Sequence, residues 1–232
     1  MAGCPLTVVV ADGLKCPKTV LRRIEDARRN SVNSVDSISA LLRRPGQGRI
    51  SVRCCCMNWQ LIVDEVMRRP GPVRLVAIDG PGGSGKSTFA LRLSEAAGGA
   101  PIVHTDDFAS AEDSLGWWPR LLEQVIEPLS RGVTATYQRY DWPSCALAEW
   151  HVVEAAPIVL IEGVSSGRSE WLAQLSFVVW IDTPRDVCLR RGLDRDGDDA
   201  LEFWKEWMAA EDQHYHRDPT RDRADLVVDG TS

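Results

Sequence analysis

The sequence predicts an α/β fold built on a parallel sheet, and three observations carry that prediction. A glycine-rich stretch, Gly80-Pro81-Gly82-Gly83-Ser84-Gly85-Lys86-Ser87, lies between an apolar segment of strand length at 73–79 and a helical segment at 88–97. Further strand-length apolar segments recur at 100–108, 156–164, 175–184 and 224–230, with helical stretches between them. Three of the segments reach an acid near their ends, at Asp106, Glu162 and Asp182, and ligands of parallel α/β sheets sit beyond the carboxyl ends of the strands. A length of 232 residues suits one such domain plus an appendage.

The glycine-rich stretch fits the phosphate-binding P-loop pattern of Gly, four residues, Gly, Lys and Ser or Thr, in the strand–turn–helix setting that the pattern requires. Glycines let the backbone take positive φ and gather several N–H groups around one anion. The helix that follows directs its positive end to the same place. Gly80 through Ser87 and the adjoining Thr88 are therefore the expected contacts of a nucleoside triphosphate. Lys86 brings a mobile charge for the β- and γ-phosphates, and Ser87 a hydroxyl for Mg²⁺.

Residues 1–56 read differently from the rest. They hold ten Lys and Arg against four Asp and Glu, and all sixteen aromatic residues of the chain come after them. Such a stretch buries little apolar area against its ordering entropy. It reads as a poorly structured basic extension, with a short helix around Val20–Arg29 and a break at Pro45-Gly46-Gln47-Gly48. A mobile tail, a docking arm for an acidic partner or RNA, and a start placed too far upstream are the three alternatives. The P-loop domain is expected to run over 57–232, opening with a short helix from Met57. Seven cysteines in an odd, unpaired pattern read as free thiols in a reducing compartment, Cys54-Cys55-Cys56 included. No apolar run approaches a membrane span and the N-terminus has no signal-peptide pattern, so the default location is the cytoplasm. A net charge of −6 argues against non-specific nucleic-acid binding.

Within the domain, the strand at 100–108 brings Asp106 and Asp107 near the phosphates, where a carboxylate can orient an acceptor hydroxyl, take its proton or hold Mg²⁺ through water. The alternative is an Asx turn or helix cap. Residues 117–132 read as a helix with Pro119 in its first turn and Pro128 kinking its last. Residues 134–143 alternate and resemble an edge strand. There Arg139, Tyr140 and Asp141 either face a sugar and base or belong to a solvated hairpin. Ile158-Val159-Leu160-Ile161-Glu162 reads as a Walker-B-like strand whose Glu162 serves the water shell of Mg²⁺. The helix at 185–196 carries Arg190, Arg191 and Arg195 in a run loosened by Gly192, the pattern of a mobile arginine-bearing lid or of a solvated charged helix. A helix from Ala200 to Arg217 is expected to bury Phe203, Trp204, Trp207 and Met208.

Taken in order, the P-loop, Thr105-Asp106-Asp107-Phe108, Arg139-Tyr140-Asp141-Trp142, Ile161-Glu162-Gly163-Val164, Trp180-Ile181-Asp182-Thr183-Pro184, Arg190 to Asp196 and Arg223 to Gly230 resemble the uridine kinase family of P-loop small-molecule kinases, its short bacterial members in particular. The resemblance covers about residues 58–230. It implies a P-loop NTPase three-layer sandwich with a five-stranded parallel sheet and a helical lid. It also implies ATP and Mg²⁺, and γ-phosphoryl transfer to a nucleoside 5′-hydroxyl. Carried onto this chain, it makes Asp106 the base on the acceptor hydroxyl, Ser87 and Glu162 the Mg²⁺ residues, Asp141 the ribose ligand, and Arg191 and Arg195 the lid arginines. Two departures fall on the acceptor side. Ala109 and Ser110 follow Phe108 where better-known members have an aromatic, and Tyr140-Asp141-Trp142-Pro143 replaces a Tyr-Asp-His-Pro-like element. The alternatives are a kinase for another small hydroxyl or nucleotide acceptor and a regulatory nucleotide-binding ATPase.

Overall fold

The computed structural model describes residues 9–10, 50–53, 57–110, 115–142 and 144–231. Its centre is a seven-stranded sheet in the order β1-β2-β9-β8-β3-β7-β4. The strands are β1 (Val9–Val10), β2 (Ile50–Arg53), β3 (Arg74–Asp79), β4 (Ile102–His104), β7 (Ile158–Glu162), β8 (Leu175–Asp182) and β9 (Leu226–Asp229). The five strands β9, β8, β3, β7 and β4 run parallel, as expected. From the first 56 residues, β2 pairs parallel with β9, and β1 antiparallel with β2. The expected helix at 20–29, the break at 45–48 and Cys54-Cys55-Cys56 lie outside the described residues.

The central strands are apolar on both faces because both are covered. Toward one face, Val76, Ile78, Phe177, Val179 and Ile181 pack with Ile62 and Val66 of α1 (Trp59–Met67) and Phe89 and Leu93 of α2 (Lys86–Ala96). Toward the other, Leu75, Val159 and Ile161 pack with Leu121, Val125, Ile126 and Leu129 of α3 (residues 118–130). The result is three layers. Within α3 a π-helical turn, Leu122–Ile126, separates two α-helical turns. Pro128 explains it: the ring has no N–H for the Gln124 carbonyl and would collide with it, so the helix widens one turn earlier.

Three expectations are refined. Residues 134–143 do form an edge strand, and it belongs to the hairpin that was one of the two alternatives: among the described residues β5 (Ala135–Asp141) pairs with β6 (Ala146–Val153), in a separate antiparallel sheet. The partner strand escapes a sequence reading because Leu147, Trp150 and Val152 are more than half exposed, so its apolar residues do not mark a buried face. Secondly, in the helix Leu201–Arg217 (α5), Trp204 and Glu211 are buried while Phe203 stays 55% exposed. Thirdly, Gly192 does not loosen its helix, α4 (Arg185–Asp196). It is where the Trp204 indole lies flush on α4, so that any Cβ there would overlap the ring.

That contact gives a signed prediction. Helix propensity alone would make Gly192→Ala stabilising by about 1 kcal/mol. Overpacking against the indole costs about 1–3 kcal/mol. The variant is therefore expected to melt below the parent in a thermal scan; a higher melting temperature would show that Trp204 does not pack as described.

Candidate active site

The P-loop joins β3 to α2 at the carboxyl end of the sheet. Gly83 and Gly85 hold φ of 75° and 102°, in the left-handed region. The Cys188 carbonyl of α4 lies so close to Gly83 that no side chain fits there. At its start α2 has no side-chain cap, so its first amides point into the loop free of side-chain acceptors. That arrangement is the physical basis of an anion site. Lys86 is 7% exposed and its Nζ donates to the Pro81 carbonyl at 2.8 Å. Thr88 is exposed in the first turn of α2.

Glu162 ends β7 in register with Ile78 on one side and His104 on the other. Its Oε1 accepts from Ser87 Oγ at 3.2 Å, and its Oε2 lies 2.7 Å from His104 Nδ1. Burial pushes the Glu162 carboxyl up, but His104's hydrogen bond and the Lys86 charge outweigh this and hold it below the usual range. His104 is moved the other way, its pKa raised chiefly by the bond to Glu162. Among the described residues no group of three or more His, Cys, Asp or Glu forms a metal cage. A hydroxyl beside one carboxylate suits Mg²⁺, which keeps several waters and takes most of its remaining ligands from substrate phosphates. The pair Ser87 and Glu162 therefore fits that ion.

Asp106 and Asp107 form a 3₁₀ turn directly after β4. The Asp106 side chain reaches solvent at the cleft, yet the protein around its carboxyl desolvates it enough to raise its pKa, against the opposing pull of Lys86. Arg195 of α4 stands near enough for it and Asp106 to shift one another's pKa. Arg191 extends its Nη1 to the Gly83 and Ser84 carbonyls, both at 3.4 Å. Lys86, Ser87, Glu162, Asp106 and Arg195 thus lie within reach of one another beside the P-loop, with Arg191 on the loop's carbonyls.

The remaining acceptor-side residues are engaged elsewhere. Asp107 accepts from Tyr137 Oη at 2.6 Å, which ties the hairpin to the sheet. Arg139 forks onto Glu149 and reaches Asp141 at 3.1 Å. The Asp141 carboxylate also takes the N–H and hydroxyl of Ser144. Tyr140 is buried, edge-on to Trp142, whose indole N–H donates to the Asp106 carbonyl at 3.1 Å.

Several residues that build the site escaped the sequence reading. Asp79, fully buried at the end of β3, accepts from the N–H groups of Gly80, Ser165 and Gly167 and from Tyr215 Oη, at 2.7–3.0 Å. Glu211, also fully buried, accepts from the Gly82 N–H, Trp207 Nε1 and Arg185 Nη1, at 2.6–2.7 Å. Two buried acids on or beside α5 and β3 thus lock the P-loop to α5. An acid closing an otherwise apolar strand just before the first P-loop glycine was the available signal for Asp79; His104, Glu211 and Tyr215 had none.

The model of the Phosphoribulokinase / Uridine kinase family matches residues 118–231, a span that begins after the P-loop. Curated uridine kinases of Borrelia duttonii (strain Ly) and Borrelia recurrentis (strain A1) are each 22% identical over 177 residues, covering 67% of this chain and 86% of theirs. A possible uridine kinase from Bacillus stearothermophilus superposes with a TM-score of 0.55 at 22% identity, covering 72% of this chain and 99% of its own. A candidate fructose transport system kinase from Silicibacter sp. TM1040 superposes with a TM-score of 0.56 at 20% identity, covering 74% and 98%. These structural likenesses bear on the fold.

Proposed function

We propose that this chain, which is similar to the Phosphoribulokinase / Uridine kinase family over residues 118–231, transfers the γ-phosphoryl group of ATP to a hydroxyl of a small molecule, a nucleoside 5′-hydroxyl first among them. The observation that carries the reading is that Lys86, the Ser87–Glu162 pair, Asp106 and Arg195 interact with one another beside the P-loop.

Each part has a task. The P-loop amides and the start of α2 hold the nucleotide's phosphates. Lys86, whose Nζ donates to the loop's own Pro81 carbonyl, is the charge placed to reach them. Ser87 and Glu162 would hold Mg²⁺, which would supply neutralising charge at the transferring phosphate. The acceptor oxygen forms its bond to the γ-phosphorus as the bridge to the β-phosphate breaks, and Asp106 takes the hydroxyl proton. Arg191 and Arg195 balance the charge on the leaving group.

A second acceptor class, a monosaccharide, is favoured by the hairpin. The Asp141 carboxylate expected to hold a ribose is already bound by Arg139 and Ser144, and one structural neighbour is described as a candidate fructose transport system kinase. Product mass after incubation with ATP, Mg²⁺ and a panel of nucleosides, nucleotides and monosaccharides separates these. A nucleoside monophosphate is the expected product; a sugar phosphate would move the acceptor to the second class. ATP loss with no phosphorylated acceptor would overturn the kinase reading in favour of a regulatory ATPase.

A further inference from the structure

We propose that His104 is a positioning residue for the nucleotide's metal, holding one oxygen of Glu162 so that the other is left for the ion. This deepens the kinase reading and rests on it. The two Glu162 oxygens are held unequally. Oε2 is gripped by His104 Nδ1 at 2.7 Å, and Oε1 is touched by Ser87 Oγ at 3.2 Å. Oε1 is thus the oxygen that can be released, and Ser87, which holds it, is itself the P-loop hydroxyl suited to the ion. When Ser87 turns to the metal, Oε1 loses the one side-chain donor it has among the described residues, while Oε2 stays anchored.

The anchor is built into the sheet. His104 is the last residue of β4 and pairs in register with Glu162, the last residue of β7. Glu162 is 5% exposed, whereas about half of the His104 side chain is open to solvent. His104 therefore closes the open side of an otherwise buried acid. A glutamate at a strand end has three side-chain torsions, and Mg²⁺ tolerates little departure from octahedral geometry. Partners that fix a ligand's orientation typically alter metal affinity by about 10–100-fold when removed.

The test uses the full chain and its His104→Ala and His104→Gln variants, with two binding measurements. ADP binding is first titrated in EDTA by calorimetry, which reads the P-loop without metal. Mn²⁺ affinity is then read by electron paramagnetic resonance at saturating ADP. The expected result is unchanged metal-free ADP binding in all three proteins, with Mn²⁺ affinity about 10-fold or more weaker in His104→Ala. His104→Gln, whose amide N–H still reaches for Oε2, is expected to recover part of the loss. Parental Mn²⁺ affinity in His104→Ala would overturn the inference and leave the kinase reading standing. An unsubstituted chain that binds no ADP would overturn that reading and the inference together. Loss of metal-free ADP binding in both variants would assign His104 to the fold of the loop instead, and would also overturn the proposal.

Discussion

Lys86→Ala is expected to bring phosphoryl transfer down by a factor on the order of 10³ or more, the scale set by removing a single donor aimed at developing charge in a shielded site. Lys86 is all but buried, and its ammonium is hydrogen-bonded to the Pro81 carbonyl. No other lysine lies in the P-loop or on α2 to replace it. Its positive charge also lowers the pKa of both Asp106 and Glu162. The alanine variant therefore loses its phosphate contact and, in addition, makes two neighbouring acids harder to ionise. Steady-state turnover with the acceptor found in the panel, beside a thermal scan, is the measurement. Turnover within threefold of the parent at an unchanged melting temperature would remove Lys86 from the chemistry.

Asp106→Asn is expected to lower turnover by about 10²–10⁴, the range attributed to a positioned general base, while ADP binding persists. Its second effect has the opposite sign. The Asp106 pKa is raised in the folded chain by desolvation. An acid whose folded pKa exceeds its unfolded one favours the fold when protonated, and that advantage is lost as pH rises through the folded pKa. At pH 7 the ionised side chain therefore costs stability, and an uncharged Asn does not. The variant should melt above the parent at pH 7, with the gap closing as pH falls toward 3.8, the ordinary value for the group. A variant that is both fully active and less stable at pH 7 would refute both roles. The coupling of lost activity to gained stability is the signature of a charge held in place for chemistry.

The parts of this molecule that could be read from its sequence are those whose signal is local. Continuous apolar runs gave the five parallel strands, and Gly80 to Ser87 marked the phosphate cradle, because each depends on residues adjacent in the chain. Trp204 was found by helical spacing, but Phe203 was misplaced beside it, since one face of α5 is turned toward the polar partners of Glu211 and Tyr215 rather than toward an apolar core. The hairpin was half seen: β5 alternates, whereas β6 exposes Trp150 and Val152. His104 was invisible as a functional residue because its partner lies 58 positions on. The charged ends of Arg139 and Asp141 were legible as chemistry, yet the structure pairs them with one another and with Glu149 and Ser144.

The cross-braces from α5 also set an order of assembly during synthesis. Gly82 waits for Glu211, which comes 129 residues later, and Asp79 for Tyr215, 136 residues later. At the usual pace of translation of about 5–20 residues per second, that gap lasts on the order of ten seconds. Throughout it the nascent chain carries the complete phosphate-binding motif without the helix that fixes its shape. The shape of the phosphate cradle is thus set only once α5 has been made, and a ribosome stalled before α5 would display the motif without its braces.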